Sequence, residues 1–327
     1  MVVDVGSVPL SNGNKLPLLG LGTWLATDEK ELDTALRAAL DVGYRYIDTA
    51  EIYRNEHVIG ATVEEYIKNG KFKREDIFIT TKLPMYGHGD PEKYIKQSLE
   101  KLRTDYIDLY LIHAPIPFEN DGQNQMKRDE KGNAIPALIP YIETWKVLEK
   151  YYNDGKLKAI GISNFNEKQI QELYDQATVK PQNLQVECHI LFPQKELFEF
   201  CKKLNITFTA YAPIGSPGRK AIQKGESFVD ESPMEHPLTK KLAEKYKKSP
   251  AQILIRQIMQ RGMSVIPKST NENRVKENFN VLDFKFTDEE MAEFDAIKQN
   301  TRLFLFDFGK NHPWHPWKDD LKKHNLI

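Results

Sequence analysis

Cysteine is nearly absent from this chain: Cys188 and Cys201 are the two in 327 residues. That excludes a disulfide scaffold and fits a reducing compartment, so a cytoplasmic location is expected. Long apolar runs are missing too. No stretch approaches the ~20 residues that span a bilayer. The N-terminus, Met1-Val2-Val3-Asp4-Val5-Gly6, has no basic region and no long apolar segment, so no signal peptide is expected. The C-terminal Asn325-Leu326-Ile327 matches no retention or prenylation signal. Charge of one sign is scarce in any one place. The 46 basic and 47 acidic residues are interleaved and leave a formal net charge of -1. Nucleic acid and anionic membrane surfaces are therefore not the expected partners. No fixed-period repeat exists beyond a strand–helix alternation.

What is present is an ordinary globular composition, 40% hydrophobic and 28% charged. The length would suit two domains, but α/β barrels routinely exceed 250 residues as one unit. Apolar strand candidates fall at Leu18–Gly22, Tyr44–Ile47, Ile77–Thr81, Ile107–Ile112, Lys158–Ile162, Asn183–Val186, Thr207–Ala210 and Ser264–Ile266. Helical patterns lie near 28–42, 55–69, 91–103, 139–154, 166–176, 195–204, 238–260 and 271–280. In the first, Leu32, Ala35, Leu36, Ala39 and Leu40 share one face, and Asp28 with Glu31 supplies the cap. Strands alternating with helices imply a parallel sheet. Eight such units predict a closed (β/α)₈ TIM barrel, with residues 1–327 as a single domain. Asn12-Gly13 between short apolar runs adds an N-terminal β-hairpin, since both residues accept positive φ.

Three segments break the rhythm. Residues 114–136 are polar, 213–237 are rich in Gly, Pro and Ser, and the tail from 299 holds Phe304, Phe306, Phe308, Trp314 and Trp317. They follow strands four, seven and eight, so all three should gather at the C-terminal mouth. Long loops in compact domains are functional or disordered, and so aromatic a tail is poor material for disorder. It is expected to act as a lid over an apolar pocket. The alternative is a tail packed on the barrel wall.

Asp48, Lys82 and His113 each stand at the end of an apolar strand, and Tyr53 follows one turn after Asp48. Residues at the carboxyl ends of barrel strands converge on one mouth, where active sites sit. An acid, a phenol, an ammonium and an imidazole gathered there form an acid–base device. Each alone could be structural, Asp48 with Lys82 as an ion pair, and Tyr or His merely packed. Four in one place point to an enzyme. Free tyrosine, with a pKa of ~10, is a reluctant acid. A nearby ammonium is expected to lower that value, and Asp48 to hold Lys82 in place.

Gly20-Leu21-Gly22-Thr23-Trp24 half-matches the dinucleotide fingerprint but lacks the third glycine. Its glycines are read as backbone room at the mouth, with Gly22, Thr23 and Trp24 facing a ligand. Lys268, Ser269, Thr270 and Arg274 follow the last strand, where a helix begins near Asn271. A guanidinium, an ammonium and hydroxyls at a helix start suit a phosphomonoester. A solvated basic helix start is the plainer alternative.

The segment Asp48-Thr49-Ala50-Glu51-Ile52-Tyr53-Arg54-Asn55-Glu56, followed by His57-Val58-Ile59-Gly60, resembles the aldo-keto reductase superfamily. So do Asp105–His113, Gly161-Ile162-Ser163-Asn164-Phe165, and Ile266-Pro267-Lys268-Ser269 with Arg274, Glu277 and Asn278. The motifs run from residue 20 to 278 in the family's order. The resemblance implies NADPH-dependent reduction of a small-molecule aldehyde or ketone. Tyr53 would be the general acid, tuned and positioned by Asp48, Lys82 and His113. Lys268 and Arg274 would hold the 2′-phosphate of NADP, with Glu277 and Asn278 near the adenine. Tyr211 would stack on the nicotinamide, and Ser163, Asn164 and Gln185 would hold its carboxamide. The loop through Pro213, Gly215, Ser216, Pro217 and Gly218 would cover the pyrophosphate. No metal and a monomer are implied.

The sequence departs from the family pattern at Pro84 and Ala114, which remove bulk near the presumed pocket, and at Ile190. A roomier substrate site is expected from the first two. His312-Pro313-Trp314-His315 looks like a metal pair, but no third ligand is evident. The cysteines are read as small core residues. Two rivals remain: a non-catalytic NADPH-binding redox sensor on the same fold, and a barrel enzyme using Lys82 as a Schiff-base lysine.

Overall fold

The alternation of strands and helices closes on itself. The computed structural model describes residues 4–223 and 228–327. Residues 1–3, on which the expectation about a leader partly rests, and residues 224–227 of the 213–237 loop lie outside the described residues. Two short strands, β1 (Ser7–Pro9) and β2 (Lys15–Pro17), pair antiparallel. Then come β3 (Leu21–Gly22), β4 (Tyr46–Asp48), β5 (Phe78–Leu83), β6 (Leu109–Ile112), β7 (Ile160–Ser163), β8 (Asn183–Glu187), β9 (Thr207–Tyr211) and β10 (Ser264–Val265). These eight pair in chain order, each parallel to the next. Parallel bridges Leu19–Val265 and Gly22–Lys268 join the last strand to the first. The expected barrel is therefore present, and every strand candidate falls on a strand.

Glycine makes that seam possible. Gly22 donates its N–H to Pro267 O at 3.1 Å, and a Cβ there would sit 2.7 Å from Ile266 O. No other residue fits so close an approach of two backbones.

The helices are α1 (Glu29–Val42), α2 (Glu56–Lys68), α3 (Pro91–Lys101), α4 (Tyr141–Asn153), α5 (Glu167–Gln176), α6 (Lys195–Lys203), α7 (Pro237–Tyr246), α8 (Pro250–Gln260), α9 (Glu272–Phe279), α10 (Asp288–Asp295) and α11 (Lys318–Lys323). Asp28 caps α1 by accepting from Glu31 N at 2.9 Å, as expected. The single helix predicted over 238–260 is two. Lys247 turns left-handed at φ 53°, and Ser249 then caps a new helix that starts at Pro250. Proline suits a first turn and breaks an interior. The apolar periodicity runs across the break because both helices bury the same side.

Inward residues fill the barrel. Leu10 and Leu16 of the hairpin join Tyr46, Phe78, Leu109, Leu111 and Ile266 in one buried cluster that plugs the floor. In the hairpin loop Gly13 takes positive φ, 89°, and Asn12 does not. The tight two-residue turn is thus a longer loop, closed by Leu10 N–H donating to Asn14 O at 2.8 Å. With the floor packed, the strands' carboxyl ends carry the polar residues of the barrel.

Candidate active site

The strand ends aim the polar residues at one point. Asp48 closes β4, Lys82 lies near the end of β5, and His113 follows β6. Tyr53 comes from a 3₁₀ turn, Glu51–Tyr53, that ends at Arg54 with φ 58°. Lys82 Nζ donates to Asp48 Oδ1 and to Thr49 O, both at 2.7 Å. Gln185 Nε2 donates to Asp48 Oδ2 at 2.7 Å, so both carboxylate oxygens are engaged. Lys82 Nζ lies 5.1 Å from the centre of the Tyr53 ring. The Tyr53 and His113 rings meet edge to face, centroids 5.7 Å apart. The four residues are thus one cluster.

Burial dominates the electrostatics. It pushes the Lys82 ammonium below its ordinary pKa, and the Asp48 charge opposes the shift. It pushes Asp48 up, against Lys82 and Gln185. His113 is held well below the usual imidazole range, by burial first and by the Lys82 charge second. Its Nδ1 is buried without a protein partner. Tyr53 departs from the expectation that Lys82 would lower its pKa. The phenol is pushed well above its ordinary value by burial, with Asp48 and Tyr211 adding to the rise. Desolvation of the phenolate is the largest effect and decides the direction.

A second row of polar groups surrounds this cluster. Tyr211 donates its OH to Asn164 Oδ1 at 2.9 Å, and Asn164 Nδ2 donates to His113 O at 2.8 Å and to Ser163 Oγ at 3.0 Å. Thr23 Oγ1 donates to Asp48 O at 3.0 Å. Ser163, Asn164, Gln185, Tyr211 and Thr23 are therefore brought together with the four. Trp24 stands half-exposed on the rim beside Phe304, edge to face at 5.4 Å. Pro213 and Gly215 are buried in the loop after β9, and Ser216 takes a left-handed φ of 45°.

Lys268, Ser269, Thr270 and Arg274 lie on the loop after β10 and the first turn of α9, with Glu277 and Asn278 on its last turns. Asn271 caps α9 by accepting from Arg274 N at 3.1 Å. Burial lowers the pKa of Lys268, whose Nζ donates to Leu25 O at 3.4 Å. Neither Lys268 nor Arg274 has a carboxylate partner among the described residues. Two cations without a direct carboxylate partner near a helix N-terminus can take an anion.

The aromatic tail divides. Phe304 packs edge-on to Trp24 and, at 5.6 Å, to Tyr211, so this part covers the mouth as expected. Further on, Trp314 O accepts from Gln169 Nε2 at 2.8 Å and Pro316 O from Asn166 Nδ2 at 3.0 Å. That stretch lies on the wall, at the start of α5. His312 Nε2 meets Pro117 O at 2.9 Å and His315 Nε2 meets Phe306 O at 3.3 Å, while their Nδ1 atoms accept from Trp314 N and Trp317 N. The histidines thus serve the backbone. Cys188 and Cys201 are buried, as read, and burial pushes their thiols up to about 11 and about 12.

A roomier pocket is expected from Pro84 and Ala114. Both residues are buried. Ala114 joins Met85, Ile116 and Phe118, and the tail's Phe306 and Phe308 pack against that group.

Sequence reasoning assigned no role to Thr49, Asn55, Glu187 or Arg219. Asn55 Nδ2 donates to Thr23 O at 3.0 Å and its Oδ1 accepts from Thr49 Oγ1 at 2.8 Å, tying β3's loop to β4's. Glu187 stands two residues after Gln185, hence on the same face of β8. That period of two was the signal available for it.

The chain matches the family model described as "Aldo/keto reductase family" over residues 18–299. It is 42% identical to aldo-keto reductase family 1 member A1 of Gallus gallus over 324 residues, covering 95% of this chain and 97% of that one. Aldo-keto reductase family 1 member D1 of Oryctolagus cuniculus is 39% identical over 321 residues, 96% and 97%. The solved aldose reductase of Schistosoma japonicum superposes with a TM-score of 0.87 at 37% identity, covering 96% of this chain and 99% of that chain.

Proposed function

Because the chain belongs to the aldo/keto reductase family, we propose that it reduces aldehydes or ketones to alcohols with NADPH, Tyr53 donating the proton. The observation that carries this reading is the buried Lys82–Asp48 pair set against the Tyr53 and His113 rings. NADPH, when bound, supplies the hydride.

The side chains supply the rest. Tyr53 is fully protonated near neutral pH, since burial holds its pKa high. Its O–H bond breaks as the product's O–H bond forms. Lys82 then stabilises the phenolate left behind, and Asp48 keeps that ammonium in place. The neutral His113 can donate a hydrogen bond to the carbonyl oxygen and orient it toward the phenol. Lys268, Ser269, Thr270 and Arg274 would hold the 2′-phosphate, and Glu277 with Asn278 the adenine. Tyr211 would stack on the nicotinamide, its tilt fixed by Phe304. Ser163, Asn164 and Gln185 would meet the carboxamide, and the Pro213–Gly218 loop the pyrophosphate. We take residues 1–327 as one barrel domain, working as a cytoplasmic monomer. Full burial and pairing of Lys82 disfavour the Schiff-base alternative.

The test is NADPH oxidation by the purified protein across aromatic, aliphatic, sugar and steroid carbonyls, beside Tyr53→Phe. Turnover lost in the variant, with NADPH binding kept, supports the reading. Binding without turnover in the unmodified protein favours the redox sensor. No NADPH binding overturns both.

A further inference from the structure

Glu187 is a fully buried carboxylate outside the acid–base cluster. It ends β8 and points inward, as Gln185 does two residues before it. Its oxygens accept three bonds, from Leu303 N at 2.6 Å, Phe304 N at 3.1 Å and His189 Nε2 at 2.8 Å. Two of these donors are consecutive backbone amides of the tail. A buried carboxylate is costly unless its oxygens are satisfied. Here the tail supplies two of the three donors, so the carboxylate and the tail's position are coupled.

The amides Glu187 holds belong to the part of the tail that reaches the mouth. Phe304 packs against Trp24 and Tyr211, and Tyr211 is hydrogen-bonded to Asn164, which bonds His113 O. The neighbouring Leu303 meets the loop after β9, where a Cβ on Gly215 would lie 3.4 Å from Leu303 Cδ1. Arg219, buried in that loop, donates to Gly215 O at 3.1 Å and to Glu231 O at 2.8 Å.

We propose that Glu187 is a positioning residue that clasps Leu303 and Phe304 and thereby seats Phe304 as the wall of the substrate pocket. It touches no reacting atom and acts through the tail. The proposal rests on the reductase reading only for its kinetic consequence; the clasp itself is testable without turnover.

Glu187→Gln keeps the shape and gives up one acceptor oxygen for an amide NH2 that faces an N–H. Amide exchange at Leu303 and Phe304 should quicken about tenfold or more. KM for an aromatic aldehyde should rise about tenfold with kcat little changed, as when binding equal in ground and transition states is removed. Phe304→Ala should raise KM similarly, and the double variant should add nothing further. Unchanged exchange overturns the clasp. Faster exchange with unchanged KM, or a lowered Tm alone, overturns the positioning role. If Glu187→Gln does not fold, the unmodified protein decides: these two amides should exchange at least ~100-fold slower than free peptide, and free-peptide rates overturn the clasp. Slow exchange with no turnover on any carbonyl would count against the reductase reading and leave the clasp standing.

Discussion

Lys82 Nζ lies 2.7 Å from Asp48 Oδ1, and both side chains are buried. Breaking such a pair from either side strands a charge in a low-dielectric interior. Asp48→Asn and Lys82→Met should each lose on the order of 3 kcal/mol of stability, read by urea unfolding. The double variant should lose clearly less than the two combined. Additive losses would show that the pair is not coupled. All three proteins should lose turnover.

Acid should destabilise the fold through its buried imidazoles. Burial pushes His88 down to about 3 and His315 to about 4. The unfolded chain takes up these protons near pH 6.5. The folded state resists them, so their contribution is complete above that value. It falls as pH drops through it, levelling only near the folded values. Each should cost the fold about 2 kcal/mol at pH 5 relative to pH 8. Urea unfolding at the two pH values checks this, and His88→Asn with His315→Asn should flatten the difference.

Lys268 and Arg274 should discriminate between cofactors. Removing one bidentate or point charge from a phosphate weakens binding by about tenfold or more. Arg274→Ala should raise the Kd for NADPH by that order and leave NADH nearly unchanged. Fluorescence titration with both cofactors measures it, and equal losses would remove these residues from the 2′-phosphate.

Gly60 closes the Asp48–Gly60 motif for a packing reason. A Cβ there would collide with Lys101 O and lie 2.7 Å from the carbonyl carbon of Leu102. Helix α2 therefore crosses the end of α3 at backbone contact. Gly60→Ala should cost about 1–3 kcal/mol, as overpacking does, with KM for any carbonyl unchanged. An unfolding midpoint equal to the parent's would show that the helices part freely.

The barrel was legible because short apolar runs alternate with helical patterns, and its strands are buried on both faces; all six residues of β5 are buried. The acid–base cluster was legible because strand ends converge, a rule needing only the strands. The split at Lys247 was harder, since both helices bury one continuous side while a left-handed residue and Ser249-Pro250 interrupt them. What packs beside Ala114 was not legible, because Phe306 and Phe308 reach that group from the far end of the chain. The Tyr53 shift runs against the sequence expectation because burial of the phenol outweighs the nearby ammonium, with Asp48 and Tyr211 adding to the rise. Local sequence shows neither long-range filling nor the depth of burial.

The Gly22–Lys268 bridge bears on the order of synthesis. A chain growing from its N-terminus carries Asp48, Lys82 and His113 well before it carries Lys268. Until that last strand is made, β3 has one neighbour and the barrel stands open along one edge. The basic loop after β10 and the helix α9 that follows it are therefore made late, with only α10, the tail and α11 still to follow. A chain halted before Ser264 carries Asp48, Tyr53, Lys82 and His113 without the strand that closes the barrel around them.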